Sequence, residues 1–289
     1  MTKRAALKRA IAAPDLLVAP GAYDGLTARL VEQAGFQAVY MTGAGTAAAH
    51  GFPDYGLVTA GEMVANAGRM ADCTTIPLIA DADTGYGNEL NVTRTVRDFE
   101  RAGVAAIHIE DQVAPKRCGH LDGKQVIARD DFAGKIHAAV QARRDPDFVI
   151  IARTDARAVA DLDEAVARAN AALAAGADMV FVEAIPDLAE LALVPLRVNG
   201  PCLLNVVPGG KTPHVDAAAA QAMGYAMAIC PGVLLMAVLA AADDALAGLK
   251  ATGLPVAAPM APAVAEIFRR FGAGEWDALR RSYASGAAA

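Results

Sequence analysis

Two stretches of this chain gather side chains capable of chemistry. I-A-D-A-D-T-G-Y-G (Ile79 to Gly87) and H-I-E-D-Q-V-A-P-K-R-C-G-H (His108 to His120) follow one plan. An apolar run of strand length stops at carboxylates, then passes into glycine or a long polar loop. Asp81 and Asp83 on one strand tip, beside Glu110 and Asp111 on another, concentrate negative charge at one edge of a sheet. Isolated buried carboxylates are costly, and a divalent cation neutralises them. Oxygen donors without a histidine cluster favour a hard ion, Mg²⁺ or Mn²⁺, over zinc. Cys118 stands among Lys116, Arg117 and His120, a setting that suits a thiol meant to ionise or to donate a proton. A single strand-end aspartate is often a helix N-cap and a single cysteine an inert packing residue. The grouping argues against both readings here.

These tips need a frame, and the rest of the chain supplies one. Apolar strand-like runs recur at Leu16–Pro20, Ala38–Thr42, Pro77–Asp81, Ala105–Ile109, Phe148–Ala152, Met179–Val182, Pro201–Asn205 and Tyr225–Cys230. Helix-period stretches lie between them, and three end in Ala-Gly just before a strand, as a helix C-terminus prefers. Continuous rather than alternating apolarity means a parallel sheet covered by helices. Eight such units close a (β/α)₈ barrel of TIM type, here over residues 1–252, with a linker and additional C-terminal helices over 253–289. A doubly wound open sheet is the alternative; even spacing and the lack of a G-x-G-x-x-G turn count against it. A barrel puts its function at the C-terminal strand tips. These carry Tyr23 and Asp24; Thr42, Gly43 and Ala44; Asp81 and Asp83; Glu110 and Asp111; Arg153, Thr154 and Asp155; Glu183; and Asn205. Two long connections, Gly43 to about Ala60 and Gln112 to about Ala128, are expected to act as lids or substrate loops.

Composition narrows the classes. With 55% apolar but only 5% aromatic residues, the core must be aliphatic. A net charge of -6 without a basic block argues against nucleic acid, and no apolar run reaches membrane-spanning length. The basic N-terminus lacks an apolar h-region, and four scattered cysteines without C-x-x-C spacing point to a reducing cytoplasm.

D-A-D-T-G-Y-G, followed by H-I-E-D-Q and K-R-C-G-H, resembles the isocitrate lyase/phosphoenolpyruvate mutase superfamily, from P-G-A-Y-D (Pro20 to Asp24) through N-V-V-P-G-G-K-T-P (Asn205 to Pro213). K-R-C-G-H is the signature of its C–C bond lyases, and the length resembles the short lyases of 2-methylisocitrate and 2,3-dimethylmalate. The resemblance implies Asp81 as the direct Mg²⁺ ligand, with Asp83, Glu110 and Asp54 holding the ion's waters. It makes Thr42, Gly43 and Ala44 a substrate-carboxylate turn, Ala44 standing where most relatives have glycine, and it places Gly119 at the substrate. It makes Arg153 a clamp on the same end of the substrate, oriented with it by Glu183 and Asn205. A 2-hydroxy di- or tricarboxylate would lose its hydroxyl proton, break at C2–C3 in a retro-aldol sense, and release a 2-oxo acid such as pyruvate. Cys118 would then protonate the other fragment, with Lys116, Arg117 and His120 tuning it, and Tyr40 is a candidate acceptor of the hydroxyl proton.

Substrate choice falls to loops that differ from the relatives. Pro208 stands where 2-methylisocitrate lyases carry glutamate, and Lys211 also departs, which favours a smaller dimethylmalate-like or oxaloacetate-like acid. Oxaloacetate decarboxylation or hydrolysis is the rival within the fold, and a non-catalytic binding barrel the rival outside it. A helix beyond the eighth unit, after the linker L-P-V-A-A-P-M-A-P, is expected to pack on a neighbouring subunit. In the family such exchange gives dimers that pair into tetramers. Trp276 is read as a packing anchor.

Overall fold

The computed structural model describes residues 1–255 and 262–284. Eight strands, β1 (Leu17–Ala22), β2 (Val39–Met41), β3 (Leu78–Asp81), β4 (Ala106–Glu110), β5 (Val149–Thr154), β6 (Met179–Val182), β7 (Cys202–Asn205) and β8 (Met227–Cys230), pair in parallel and in order. β8 returns to β1, with Leu17 opposite Met227 and Pro20 opposite Cys230, so the barrel closes. Thirteen helices are described: α1 (Lys3–Ile11), α2 (Gly25–Gln33), α3 (Gly43–Ala49), α4 (Ala60–Cys73), α5 (Glu89–Arg101), α6 (Arg129–Ala142), α7 (Ala156–Val159), α8 (Leu162–Ala174), α9 (Leu188–Arg197), α10 (Ala217–Ala222), α11 (Val233–Thr252), α12 (Val264–Arg270) and α13 (Ala273–Ala284). The connection after β2 is therefore not bare loop, since α3 opens it under a Thr42 N-cap. Its G-A-G-T-A-A-A sequence has no amphipathic stripe to announce a helix, yet Gly45, Thr46 and Ala47 are buried.

Two apolar layers hold the barrel. The inner one runs through Tyr40, Ile79, Ile151, Phe181, Leu203 and Ile229, and Leu7 and Ile11 of α1 join it, so α1 plugs one end of the barrel. The outer one lies between strands and helices. α5 shows how the sequence builds it: Val92, Thr95, Val96 and Phe99 recur at helical spacing and are buried, while Leu90 is exposed. An Asn88–Asn91 capping box fixes where the helix begins.

The chain forms two compact units, Met1–Met236 and Ala237–Ala289, which divide within α11. In the second unit α12 and α13 have no buried side chain, and Leu239, Leu246 and Phe268 are exposed. Trp276, expected to anchor packing, is 71% exposed. Most of the expected proline-rich linker lies outside the described residues. Among the described residues no helix is long and apolar enough to cross a membrane.

Removing the Phe99 ring should lower the unfolding free energy in urea by roughly 3–5 kcal/mol, against less than about 0.5 kcal/mol for Leu90→Ala. Equal losses would mean that the outer layer is not packed as described.

Candidate active site

The turn after β3 explains how the first acidic tip is built. Asp83 and Tyr86 take left-handed backbone conformations, at φ 46° and 61°, and Gly85 and Gly87 also have positive φ. Asparagine and aspartate tolerate that region better than most residues, but such a turn persists only where its surroundings hold it. The Asp83 N–H donates to Asp81 Oδ1 at 2.9 Å, and the Asp83 carbonyl accepts from the Glu110 N–H at 2.9 Å. Gly43 N–H donates to Asp81 Oδ2 at 3.2 Å, and a Cβ on Gly43 would lie 2.4 Å from that oxygen. Glycine lets the backbone approach the carboxylate here.

Lys116 is the common counter-ion of this half of the site. Its ammonium stands 2.5 Å from Asp54 Oδ1 and 2.9 Å from Asp83 Oδ1. The second approach is a charge contact at a poor angle, and Asp83 Oδ1 and both Glu110 oxygens are buried without a hydrogen bond. Burial pushes Asp81 upward, but His108, Lys116 and Arg153 outweigh it and bring the carboxyl down to about 2. Asp83 goes the other way, to about 6, because burial and the Asp81 charge outweigh Lys116. Glu110 is raised further by burial. Buried carboxylate oxygens without hydrogen bonds fit a divalent cation. Among the described residues no three His, Cys, Asp or Glu side chains converge into a bare cage.

Arg153, on β5, organises the other half. Its guanidinium meets Glu110 Oε2 at 3.2 Å, Asp155 Oδ2 at 3.1 Å and Glu183 Oε2 at 3.4 Å, and lies over the Phe181 ring. Asn205 Nδ2 donates to Glu183 Oε2 at 3.0 Å. His120 Nδ1 accepts from the Lys211 N–H at 3.1 Å, which leaves its Nε2 facing Glu183 Oε1 at 3.7 Å. Tyr40 OH and His108 Nε2 are 2.7 Å apart. Burial brings His108 down to about 4 and raises Tyr40 well above its usual value, so both are neutral at pH 7.

A cavity of about 230 Å³ opens between these halves. Tyr40, Thr42, Ala44, Asp54, Asp81, Cys118, Gly119, His120, Arg153, Glu183 and Asn205 line it, so eleven expected residues share one wall. Asp83, Glu110, Lys116 and Gly43 are buried beside it through the contacts above. One expectation is corrected. Lys116 is spent on Asp54 and Asp83, Arg117 stacks on Tyr55, and burial raises the Cys118 thiol, so the loop's cations do not ionise it. The thiol is held as an acid. Asp111 turns out to be a brace, accepting from Thr154 Oγ1 at 2.6 Å and the Asp155 N–H at 2.9 Å and pairing with Arg168 at 3.1 Å. The sequence reading missed Lys124, whose ammonium pairs with Asp155, and the Pro231, Leu235 and Met236 part of the apolar wall. The C-P-G that ends β8 is a tip signal that could have found part of that wall.

An eight-stranded barrel whose strand tips surround a small cavity with carboxylates, one guanidinium and a protonated thiol defines an enzyme that handles carboxylic acids. Residues 7–250 match the family model "Phosphoenolpyruvate phosphomutase". The chain is 44% identical over 251 residues to 2,3-dimethylmalate lyase of Eubacterium barkeri, covering 86% of this chain and 87% of that one. It is 44% identical over 240 residues to 2-methylisocitrate lyase of Aeropyrum pernix, covering 83% and 77%. Among solved structures it resembles oxaloacetate acetylhydrolase bound to 3,3-difluorooxalacetate, at TM-score 0.93 and 37% identity over 100% and 98% of the chains. It also resembles a phosphonopyruvate hydrolase complexed with oxalate and Mg²⁺, at 0.88 and 32% over 98% and 99%. The chain belongs to the phosphoenolpyruvate mutase/isocitrate lyase superfamily, among its lyases.

The buried groups set a pH test. His108 falls from 6.5 to about 4 on folding, so the unfolded chain binds more protons and stability rises with pH across that window. Asp83 rises from 3.8 to about 6, so its contribution falls as pH rises through its own window. The two oppose each other. In EDTA, Asp83→Asn should make the urea midpoint climb more steeply with pH between about 4 and 6 than in the wild type; parallel profiles would contradict the raised carboxyl.

Proposed function

We propose that this lyase cleaves the C2–C3 bond of a small 2-hydroxy dicarboxylate of the 2,3-dimethylmalate type, releasing a 2-oxo acid such as pyruvate and a carboxylic acid. The observation that carries this is the Cys118 thiol, held protonated on the wall of a cavity that also presents Arg153. Cavity size and lining support the substrate class. Val207, Leu235 and Met236 offer alkyl surface to the far end of the substrate, and Arg153 is the cation at the near end. A third carboxylate would meet the apolar wall without a cationic partner, at the cost of an unpaired charge.

Asp81, with Asp83, Glu110 and Asp54 acting through its waters, would hold Mg²⁺ or Mn²⁺, whose charge favours release of the oxo acid. Arg153 grips a substrate carboxylate, and Glu183 and Asn205 fix the guanidinium's direction. Tyr40 and His108 form a two-member path for the hydroxyl proton, since a neutral imidazole can take the proton that the phenol passes on. As the C2–C3 bond breaks, its electron pair stays on C3, and Cys118 delivers a proton there. Oxaloacetate hydrolysis is the less favoured reading, since the sequence relatives are named lyases and the oxaloacetate acetylhydrolase is a structural neighbour at 37% identity.

The chain works as an oligomer in this reading. The exposed apolar residues of the second unit suit burial against a neighbouring subunit, as does a separate apolar cavity of about 310 Å³ beside Val18, Ala228 and Val233 in the first. Four free cysteines favour a reducing cytoplasm.

Release of a 2-oxo acid from 2,3-dimethylmalate, 2-methylisocitrate, isocitrate, citramalate and oxaloacetate is the direct assay. Turnover should be highest on a dicarboxylate, vanish in EDTA, and fall about 10²–10⁴-fold in Cys118→Ser. Wild-type turnover in Cys118→Ser, or indifference to EDTA, would overturn the mechanism. Deleting residues after Thr252 should lower the number of protomers per particle in light scattering; an unchanged number rejects subunit exchange.

A further inference from the structure

Lys124 sits at the far end of the cysteine loop, and neither the proposed chemistry nor the metal set uses it. Its side chain is 2% exposed, and its ammonium makes two contacts. One is to Asp155 Oδ1 at 2.8 Å, and the other is to the carbonyl of Gly119, the residue between Cys118 and His120. Asp155 is not free to follow the loop, because its backbone N–H is held by Asp111. Its second oxygen meets Arg153 Nε at 3.1 Å. Asp155 thus stands between the substrate clamp and the loop, with Oδ2 on Arg153 Nε and Oδ1 shared between the Lys124 ammonium and, at 3.5 Å, Arg153 Nη2. The loop itself is fitted closely. A Cβ on Gly119 would lie 2.4 Å from Arg153 Nη2 and 2.6 Å from Glu183 Cγ.

We propose that Lys124 is a positioning residue that latches the cysteine loop over the cavity and, by taking up one oxygen of Asp155, frees the charge of Arg153 for the substrate carboxylate. Arg153 is surrounded by Glu110, Asp155 and Glu183, so one guanidinium faces three carboxylate groups. An incoming anion competes with all of them. When the loop is seated, the ammonium draws on Asp155 and the competition weakens. When the loop lifts, Oδ1 loses the ammonium and is left to the guanidinium alone. Closure and carboxylate binding thereby favour one another through a fixed aspartate, which is a coupling by charge. A lysine suits this task because its ammonium is strongly hydrated outside the protein, so the latch can open as well as close.

The inference rests on Cys118 being the proton donor, and its test separates the two ideas. Iodoacetamide labelling of Cys118, followed on its own peptide by mass spectrometry, reports how often the loop opens. Without ligand, Lys124→Met should be labelled about tenfold faster than wild type, the scale of one lost charged hydrogen bond. Its kcat on the best substrate should fall by at least as much, with a smaller change in KM, and Lys124→Arg should recover most of both. If Lys124→Met fails to fold, Lys124→Gln carries the same comparison. Labelling at the wild-type rate in the folded variant overturns the latch, even if its thermal stability has dropped. Oxalate with Mg²⁺ should further slow labelling of the wild type. If it does not, the reading of the cavity as an oxyanion site fails, while the ligand-free rates still judge Lys124.

Discussion

Arg153 and Lys116 lie in the mouth of the barrel, each with two or more carboxylates within 3.4 Å. Below them the barrel is filled with Tyr40, Ile79, Ile151 and Phe181, so the charges rest on an apolar floor. In such surroundings an unpaired carboxylate costs several kcal/mol, and removing one member of a buried pair is worse than removing both. The tips can therefore be acidic only because cations reach them, and two of these serve the carboxylates around the cavity. One comes from a strand, rigid and fixed in register opposite Glu110. The other arrives on a loop.

That division shaped what could be read from the sequence. The strands were legible because a parallel sheet buried on both faces writes long aliphatic runs, and each tip announced itself where such a run met Asp, Glu or Arg. Thr42, Ala44, Asp81, Arg153, Glu183 and Asn205 of the cavity wall followed from the barrel alone. The partners of the cations did not. Lys116 looks like a neighbour of Cys118 in sequence, yet in space it serves Asp54 and Asp83, from two other segments. Lys124 and Asp155 lie on different loops, and no periodicity ties a long flexible side chain to a partner that far away. α3 was hidden for another reason: Ala, Gly and Thr in a row carry no amphipathic signal, and the buried face forms only because small residues fit.

Charge pairing also decides which groups can move protons. Because Lys116, Arg117 and Lys124 of the cysteine loop are committed elsewhere, burial dominates at the thiol and keeps its proton in place. The same burial holds Tyr40 and His108 neutral, one as donor and one able to accept. A protonated thiol and Tyr40, with His108 hydrogen-bonded to the phenol, thus border one small cavity, and their neutrality follows from packing as much as from residue type.

Gly119 has an ordinary backbone conformation, and only the lack of room beside Arg153 and Glu183 calls for glycine there. The seal over the cavity is made by the absence of a side chain. A single added methyl would act as a wedge, propping the entrance ajar while every charged group kept its identity. The chain thus offers one position at which a substitution that carries no charge alters access to the chamber, and random variation would find that position among the least forgiving in the molecule.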